Sequence, residues 1–151
     1  MTEKDEFWMR KALEKAVEAA ELAEVPVGAC VISAEGDLLA SASNRTITDT
    51  DPTGHAEILA LRRAAAATGN YRLTGTTVFT TLEPCAMCAG ALVNARVERL
   101  VFGAHDERFG AVETLFRICD NLTLNHQIKI ESGVLALECR ELMQGFFRAR
   151  R

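Results

Sequence analysis

No apolar stretch in this chain of 151 residues approaches the ~18 needed to cross a bilayer. Its acidic start, Met1-Thr2-Glu3-Lys4-Asp5-Glu6, has none of the basic and apolar pattern of an export signal. A soluble, cytoplasmic protein is expected. Proline is scarce, at three residues, and there is no repeat or low-complexity run, which excludes collagenous and disordered classes. An excess of positive charge is missing too. The 17 Lys and Arg are outnumbered by 21 Asp and Glu, for a net charge of −4. Such a chain does not coat nucleic acid through a general basic field, although a local patch can still dock on one folded RNA. Disulfides are not indicated either: five cysteines, an odd number without an export signal, read as reduced thiols or metal ligands.

What is present is the composition of an ordinary globule, 48% hydrophobic and 25% charged. A chain of this length buries roughly 70% of its unfolded surface, and without a composition break residues 1–151 are expected to form one domain. Thr2 and Asp5 resemble a capping box, and Met9, Leu13, Ala16, Ala20 and Ala23 keep helical spacing until Val25-Pro26. Residues 27–33 and 38–43 read as strands joined at Glu35-Gly36-Asp37. A polar loop, 44–54, is long enough to suggest function. A helix from His55, a strand over 76–82, a helix with Pro84 in its first turn and a strand over 99–103 follow. Residues 113–119 read as a short helix, 127–131 as an edge strand, and a last helix carries Leu135, Cys139, Leu142, Met143 and Phe146 on one face. This order predicts an α/β fold, a three-layer α-β-α arrangement around a mixed five-stranded sheet. The first two strands pair antiparallel and the last three parallel.

Two strings carry chemistry: His55-Ala56-Glu57 and Pro84-Cys85-Ala86-Met87-Cys88. Cysteines at i and i+3 on a helix start project from nearly one face, and a helix N-terminus favours the thiolate. One imidazole and two thiolates suit zinc, and three protein ligands leave a position for water. Glu57 then reads as the general acid–base that moves protons between water and substrate. Two residues along a helix rotate by roughly 200°, so His55 and Glu57 share a pocket only at the helix mouth. A CxxC alone also fits a redox pair or half of a closed zinc site that Cys30, Cys119 or Cys139 could complete. Cys30 and Cys139, however, sit in apolar patterns typical of buried thiols.

With HxE and PCxxC together, the chain resembles the zinc-dependent cytidine and deoxycytidylate deaminase superfamily. Val25-Pro26-Val27-Gly28-Ala29, Asn44-Arg45, Asp51-Pro52-Thr53-Gly54-His55-Ala56-Glu57, Asn70-Tyr71-Arg72-Leu73 and Thr81-Leu82-Glu83-Pro84-Cys85 are similar, more narrowly, to the bacterial tRNA-specific adenosine deaminases. The resemblance runs from about residue 8 to the end. It implies hydrolytic deamination of adenosine to inosine at the wobble position of a tRNA anticodon, an arginine tRNA among the substrates. It also implies a homodimer with one zinc per subunit. His55, Cys85 and Cys88 would hold the metal and Glu57 would shuttle protons. Asn44 and Val27 would contact the flipped nucleotide, and Asp106, Phe146, Arg148 and Arg150 would face the RNA. Phe146 also keeps the register of a core residue, and Arg148, Arg150 and Arg151 also fit a solvated terminal run. Arg108-Phe109 and Glu113-Thr114 depart from the family pattern, which bears on RNA affinity rather than chemistry. A deaminase of a free base or nucleoside would share the zinc, Glu57 and the fold. A non-catalytic zinc-bearing RNA-binding module would have no need of Glu57.

Overall fold

A computed structural model describes residues 2–150. Its elements are α1 (Glu3–Glu21), β1 (Gly28–Ile32), β2 (Leu38–Ser43), α2 (Ala56–Thr68), β3 (Thr77–Leu82), α3 (Ala86–Asn94), β4 (Arg99–Ala104), β5 (Lys129–Ser132) and α4 (Ala136–Arg148). The sheet runs β2-β1-β3-β4-β5. β1 pairs antiparallel with both β2 and β3, whereas β3–β4 and β4–β5 are parallel. The mixed five-stranded sheet is therefore as the sequence predicts.

Alternation along the strands sorts side chains between two helical layers. Ala29, Val31, Val78, Leu100 and Phe102 pack with Ala60, Leu61 and Leu92 of α2 and α3. Cys30, Ile32, Phe79 and Val101 point the other way, onto Met9 and Ala12 of α1 and Cys139 of α4. Phe79 and Phe102 are almost wholly buried, and truncating either to alanine should cost ~3–5 kcal/mol. Gly28 lets α1 approach closely: a Cβ there would lie 2.0 Å from the Ala12 carbonyl oxygen.

Thr2 caps α1 by accepting the Asp5 N–H at 3.1 Å. The helix ends at Glu21, ahead of Val25-Pro26, because Ala23 turns left-handed (φ 59°) and the Glu24 N–H returns to the Ala19 carbonyl. Two further expectations are corrected. Residues 113–119 form turns and irregular chain rather than a helix: the carboxylate of Glu83 gathers the N–H groups of Val112, Glu113 and Thr114, and the Leu115 and Ile118 N–H groups return to the Gly110 and Ala111 carbonyls instead of to partners four residues back. The edge strand is shifted to Lys129–Ser132.

The sheet delivers several loops to one end. Gly28 pairs with Ser43 across β1 and β2, and its N–H donates to the Thr81 hydroxyl at 3.2 Å. Val27, Asn44, Glu83 and His105 therefore all leave the sheet at the carboxyl ends of its parallel strands, where open α/β sheets form their crevice. No helix of the described residues is long and apolar enough to cross a membrane.

Candidate active site

His55 and Cys85 are the N-cap residues of α2 and α3, both in extended backbone (φ −72° and −73°), and neither side chain caps its own helix. Pro84 thus stands just outside α3 rather than in its first turn. With their own caps left unmade, the two side chains turn toward each other. His55 Nδ1 lies 3.6 Å from Cys85 Sγ and 3.4 Å from Cys88 Sγ. The three donor atoms all fall within 4.8 Å of one another. A tetrahedral zinc with Zn–N of about 2.05 Å and Zn–S of about 2.3 Å separates nitrogen from sulfur by about 3.5 Å. The observed spacings fit that edge length, and the soft donor set excludes magnesium and calcium. Two helix N-termini aim their positive ends at this point, which favours thiolate. Cys30, Cys119 and Cys139 are buried elsewhere, with thiols pushed up to about 12 chiefly by burial. They are not part of the cluster.

The sulfurs are electrostatically coupled. A hydrogen bond from the Cys88 thiol pulls Cys85 down to about 4, against the effect of burial. Donating that bond, together with burial, pushes Cys88 strongly up. Contact with Cys85 raises His55. Glu57 is buried at 4% exposure in the first turn of α2. Burial pushes its carboxyl up, while its own backbone N–H and His55 pull only partly the other way. Because His55 is a cap in extended backbone and Glu57 is helical, the two side chains reach one pocket despite their spacing.

Asn44 and Val27 lie together at the same end of the sheet. The Asn44 N–H donates to the Val27 carbonyl at 3.1 Å and Nδ2 to the Val25 carbonyl at 3.2 Å. Asn44 Oδ1 is buried and has no partner. Val27, 9% exposed, packs in the same cluster as Ala56, between His55 and Glu57 in sequence.

Three of the four remaining predicted residues belong to a separate groove of about 1090 Å3 between the loop after β4 and α4. Asp106, Arg148 and Arg150 line it, as do Arg108, Arg140 and Gln144. Its walls do not include the His–Cys–Cys cluster, but Leu82, three residues before Cys85, is one of them. Asp106 Oδ1 already accepts the N–H groups of Arg108 and Phe109 at 3.0 and 3.2 Å. Phe146 is not on the groove: it is 9% exposed, with the Arg150 guanidinium 3.4 Å from its ring centroid. Phe147, 46% exposed, takes the groove position instead. Arg151 lies outside the described residues.

The sequence pattern does not single out Glu24, Glu83 or Arg140. Arg140, Gln144 and Arg148, spaced i, i+4 and i+8, form one stripe of α4. Glu24 and Glu83 are acidic residues beside proline-containing turns, and both are buried. Glu83 accepts from the Asp106 N–H and the Thr114 hydroxyl in addition to Val112, Glu113 and Thr114 N–H. Burial pushes its carboxyl up, but these bonds outweigh it and hold the group below its ordinary value.

Comparison with known proteins agrees with this geometry. The sequence matches the MafB19-like deaminase family over residues 3–151. It is 46% identical to a tRNA-specific adenosine deaminase of Haemophilus influenzae over 150 residues, covering 99% of this chain and 87% of that protein. A tRNA-specific adenosine deaminase of Bacillus subtilis is 44% identical, with 97% and 91% covered. A solved structure from work on A-to-I editing by tRNA:A34 deaminases superposes with a TM-score of 0.86 at 41% identity, covering 90% of this chain and 98% of that one. Guanine deaminase from Nitrosomonas europaea superposes with a TM-score of 0.82 at 25% identity, covering 93% and 83%. The chain belongs to the MafB19-like deaminases and, among them, to the family of tRNA-specific adenosine deaminases.

Proposed function

We propose that this enzyme hydrolyses adenosine to inosine at the wobble position of a tRNA anticodon, releasing ammonia. The observation that carries the reading is the buried Glu57 beside a His55–Cys85–Cys88 donor set with tetrahedral spacing. His55, Cys85 and Cys88 would hold one zinc per subunit. Bound there, zinc supplies a Lewis acid that makes a water nucleophilic near neutral pH. Glu57 would take both protons that the water gives up, one on attack at C6 of adenine and one as the C6 carbonyl forms, passing the first to ring N1 and the second to the amine, which leaves as ammonia. Val27 packs against the base. Asn44 Oδ1, buried without a partner, offers an acceptor to a hydroxyl or amine of the extruded nucleotide, and its occupation would relieve the cost of leaving it unpaired.

An RNA substrate is supported by the groove. Arg108, Arg140, Arg148 and Arg150 line it, and none forms an ion pair among the described residues. In a chain of net charge −4, that is a local patch suited to phosphates rather than a general basic field. Phe147 is placed for base stacking. Exposed Phe109, Leu115, Phe116 and Leu122 follow one another in a single segment and support a homodimer, because monomers rarely leave large apolar patches open. A cytoplasmic location goes with a tRNA-modifying activity.

A second reading, deamination of free guanine, is favoured by one observation, the likeness to guanine deaminase. Incubating the zinc-loaded protein with an arginine tRNA bearing wobble adenosine, and in parallel with guanine, separates the two. Inosine at that one position is expected. Ammonia from guanine with no inosine would replace the substrate while keeping the site.

A further inference from the structure

Glu24 is fully buried, at 0% exposure, and the reaction above does not use it. An ionised carboxylate is costly to bury unless well bonded, and this one is bonded entirely to one loop. Its Oε1 accepts the Ile47 N–H at 3.2 Å and the Thr46 hydroxyl at 3.4 Å. Its Oε2 accepts both the N–H and the hydroxyl of Thr48, each at 2.6 Å. Burial pushes the carboxyl up, but the Thr48, Ile47 and Thr46 bonds outweigh it and keep the group ionised.

The residues after Glu24 hold the start of the same loop. Val25 O accepts Asn44 Nδ2 and Val27 O accepts the Asn44 N–H. The short turn 24–27 thus grips residues 44–48 at two places. The carboxylate folds 46–48 around itself, and the two carbonyls fix the amide of Asn44. Once Nδ2 is committed to Val25, Oδ1 must face away from it, and Oδ1 is the buried atom without a partner. The loop is closed at its far side by Arg45 N–H on Gly54 O at 3.0 Å, one residue before His55. A shift of 46–48 would therefore reach Asn44 directly.

We infer that Glu24 is a positioning residue: it holds the 44–48 loop so that Asn44 presents Oδ1 to the bound nucleotide. The inference rests on the deaminase reading above for the identity of that nucleotide. Glu24→Gln is the informative change, because it keeps the shape and one acceptor while turning an NH2 against a donor on the loop.

The test is a double-mutant cycle on the zinc-loaded full chain with Glu24→Gln and Asn44→Ala, reading kcat, KM and metal content with a wobble-adenosine stem-loop RNA. Glu24→Gln alone is expected to raise KM about tenfold with kcat changed less than about threefold and zinc unchanged. In the Asn44→Ala background the same change should add less than about twofold. A tenfold rise in both backgrounds would overturn the route through Asn44. Amide hydrogen exchange gives a reading independent of activity: Ile47 and Thr48 should exchange at least about tenfold faster in Glu24→Gln, with β3 and β4 unaffected. Unchanged exchange at 47 and 48 would sink the inference. If Glu24→Gln does not fold, Thr48→Val removes only the hydroxyl donor, and its smaller KM rise should vanish in the Asn44→Ala background. Should the wild type act on guanine and not RNA, the function reading fails by itself, and the same cycle is read on the KM for guanine.

Discussion

Arg99 grips Asp5 across 94 residues of chain, its Nη1 and Nη2 donating to the two carboxylate oxygens at 2.9 and 2.7 Å. Nη2 also bonds Glu131, so α1, β4 and β5 are fastened together at the end of the sheet opposite the candidate active site. The Arg99 hydrogen bond holds the Asp5 carboxyl below its ordinary 3.8, against burial. A depressed folded value means the contribution is complete above the unfolded pKa and disappears as pH falls through the folded one. Asp5→Asn should cost about 2 kcal/mol near pH 7. It should also flatten the loss of stability below about pH 4. Urea unfolding across that range checks both; an unchanged acid slope would contradict the assignment.

Glu57 and Cys88 should separate metal holding from proton transfer. Glu57→Gln is expected to retain zinc, measured by elemental analysis, and to lose turnover by about 10²–10⁴-fold. Cys88→Ser should lose both zinc and turnover, since thiolate is the stronger ligand and a three-ligand site has none to spare. Zinc loss in Glu57→Gln would make the carboxylate a ligand instead.

Along α4, Arg140→Ala and Arg148→Ala should each weaken RNA binding and reduce the slope of log K against log salt by about 0.7–0.9. Activity at saturating RNA should stay within about twofold. Filter binding at several salt concentrations reads the slope. A drop in affinity with no change of slope would assign these arginines to packing rather than phosphate contact.

Gly110 lies against the Glu83 carboxylate: a Cβ there would stand 2.4 Å from Glu83 Cδ and Oε1 and 2.5 Å from Asp106 O. Gly110→Ala should therefore push the 106–114 segment off its anchor. The expected cost is about 2–3 kcal/mol, with a raised KM for RNA. Gly145→Ala is the contrast. Nothing lies within 4 Å of its Cβ position in α4, and helix propensity predicts a gain of about 0.5–1 kcal/mol. Thermal melts of the two variants should move in opposite directions.

The strands were legible because residues 27–32 and 100–103 are continuous apolar runs, and the long crossovers between β3, β4 and β5 left parallel pairing as the natural geometry. The grouping of His55, Cys85 and Cys88 was legible because HxE and CxxC are local patterns. What could not be read is where backbone donors end up when a distant carboxylate claims them. Residues 113–119 read as a short helix, yet Glu83, some 30 residues earlier, folds 112–114 around its carboxylate, and the Leu115 and Ile118 N–H groups go to the Gly110 and Ala111 carbonyls rather than to helical partners. Glu24 likewise sits next to Val25-Pro26, which looks like the helix stop, while the chain has already turned at Ala23. Phe146 and Phe147 are adjacent aromatics on an amphipathic helix, and only the packing of α4 decides that the first faces inward.

The strand order has a consequence for synthesis. All three donor residues have been made by Cys88, and β2, β1 and β3 already form a contiguous half-sheet with α2 and α3 by Asn94. β4, β5 and α4, which carry the Arg99 clasp and the arginine groove, are translated afterwards. Because chains fold from the N-terminus as they emerge, the proposed metal site could assemble on the ribosome before the wall of the arginine groove exists. Metal supply would then act on the yield of folded protein, and not only on the activity of molecules already complete.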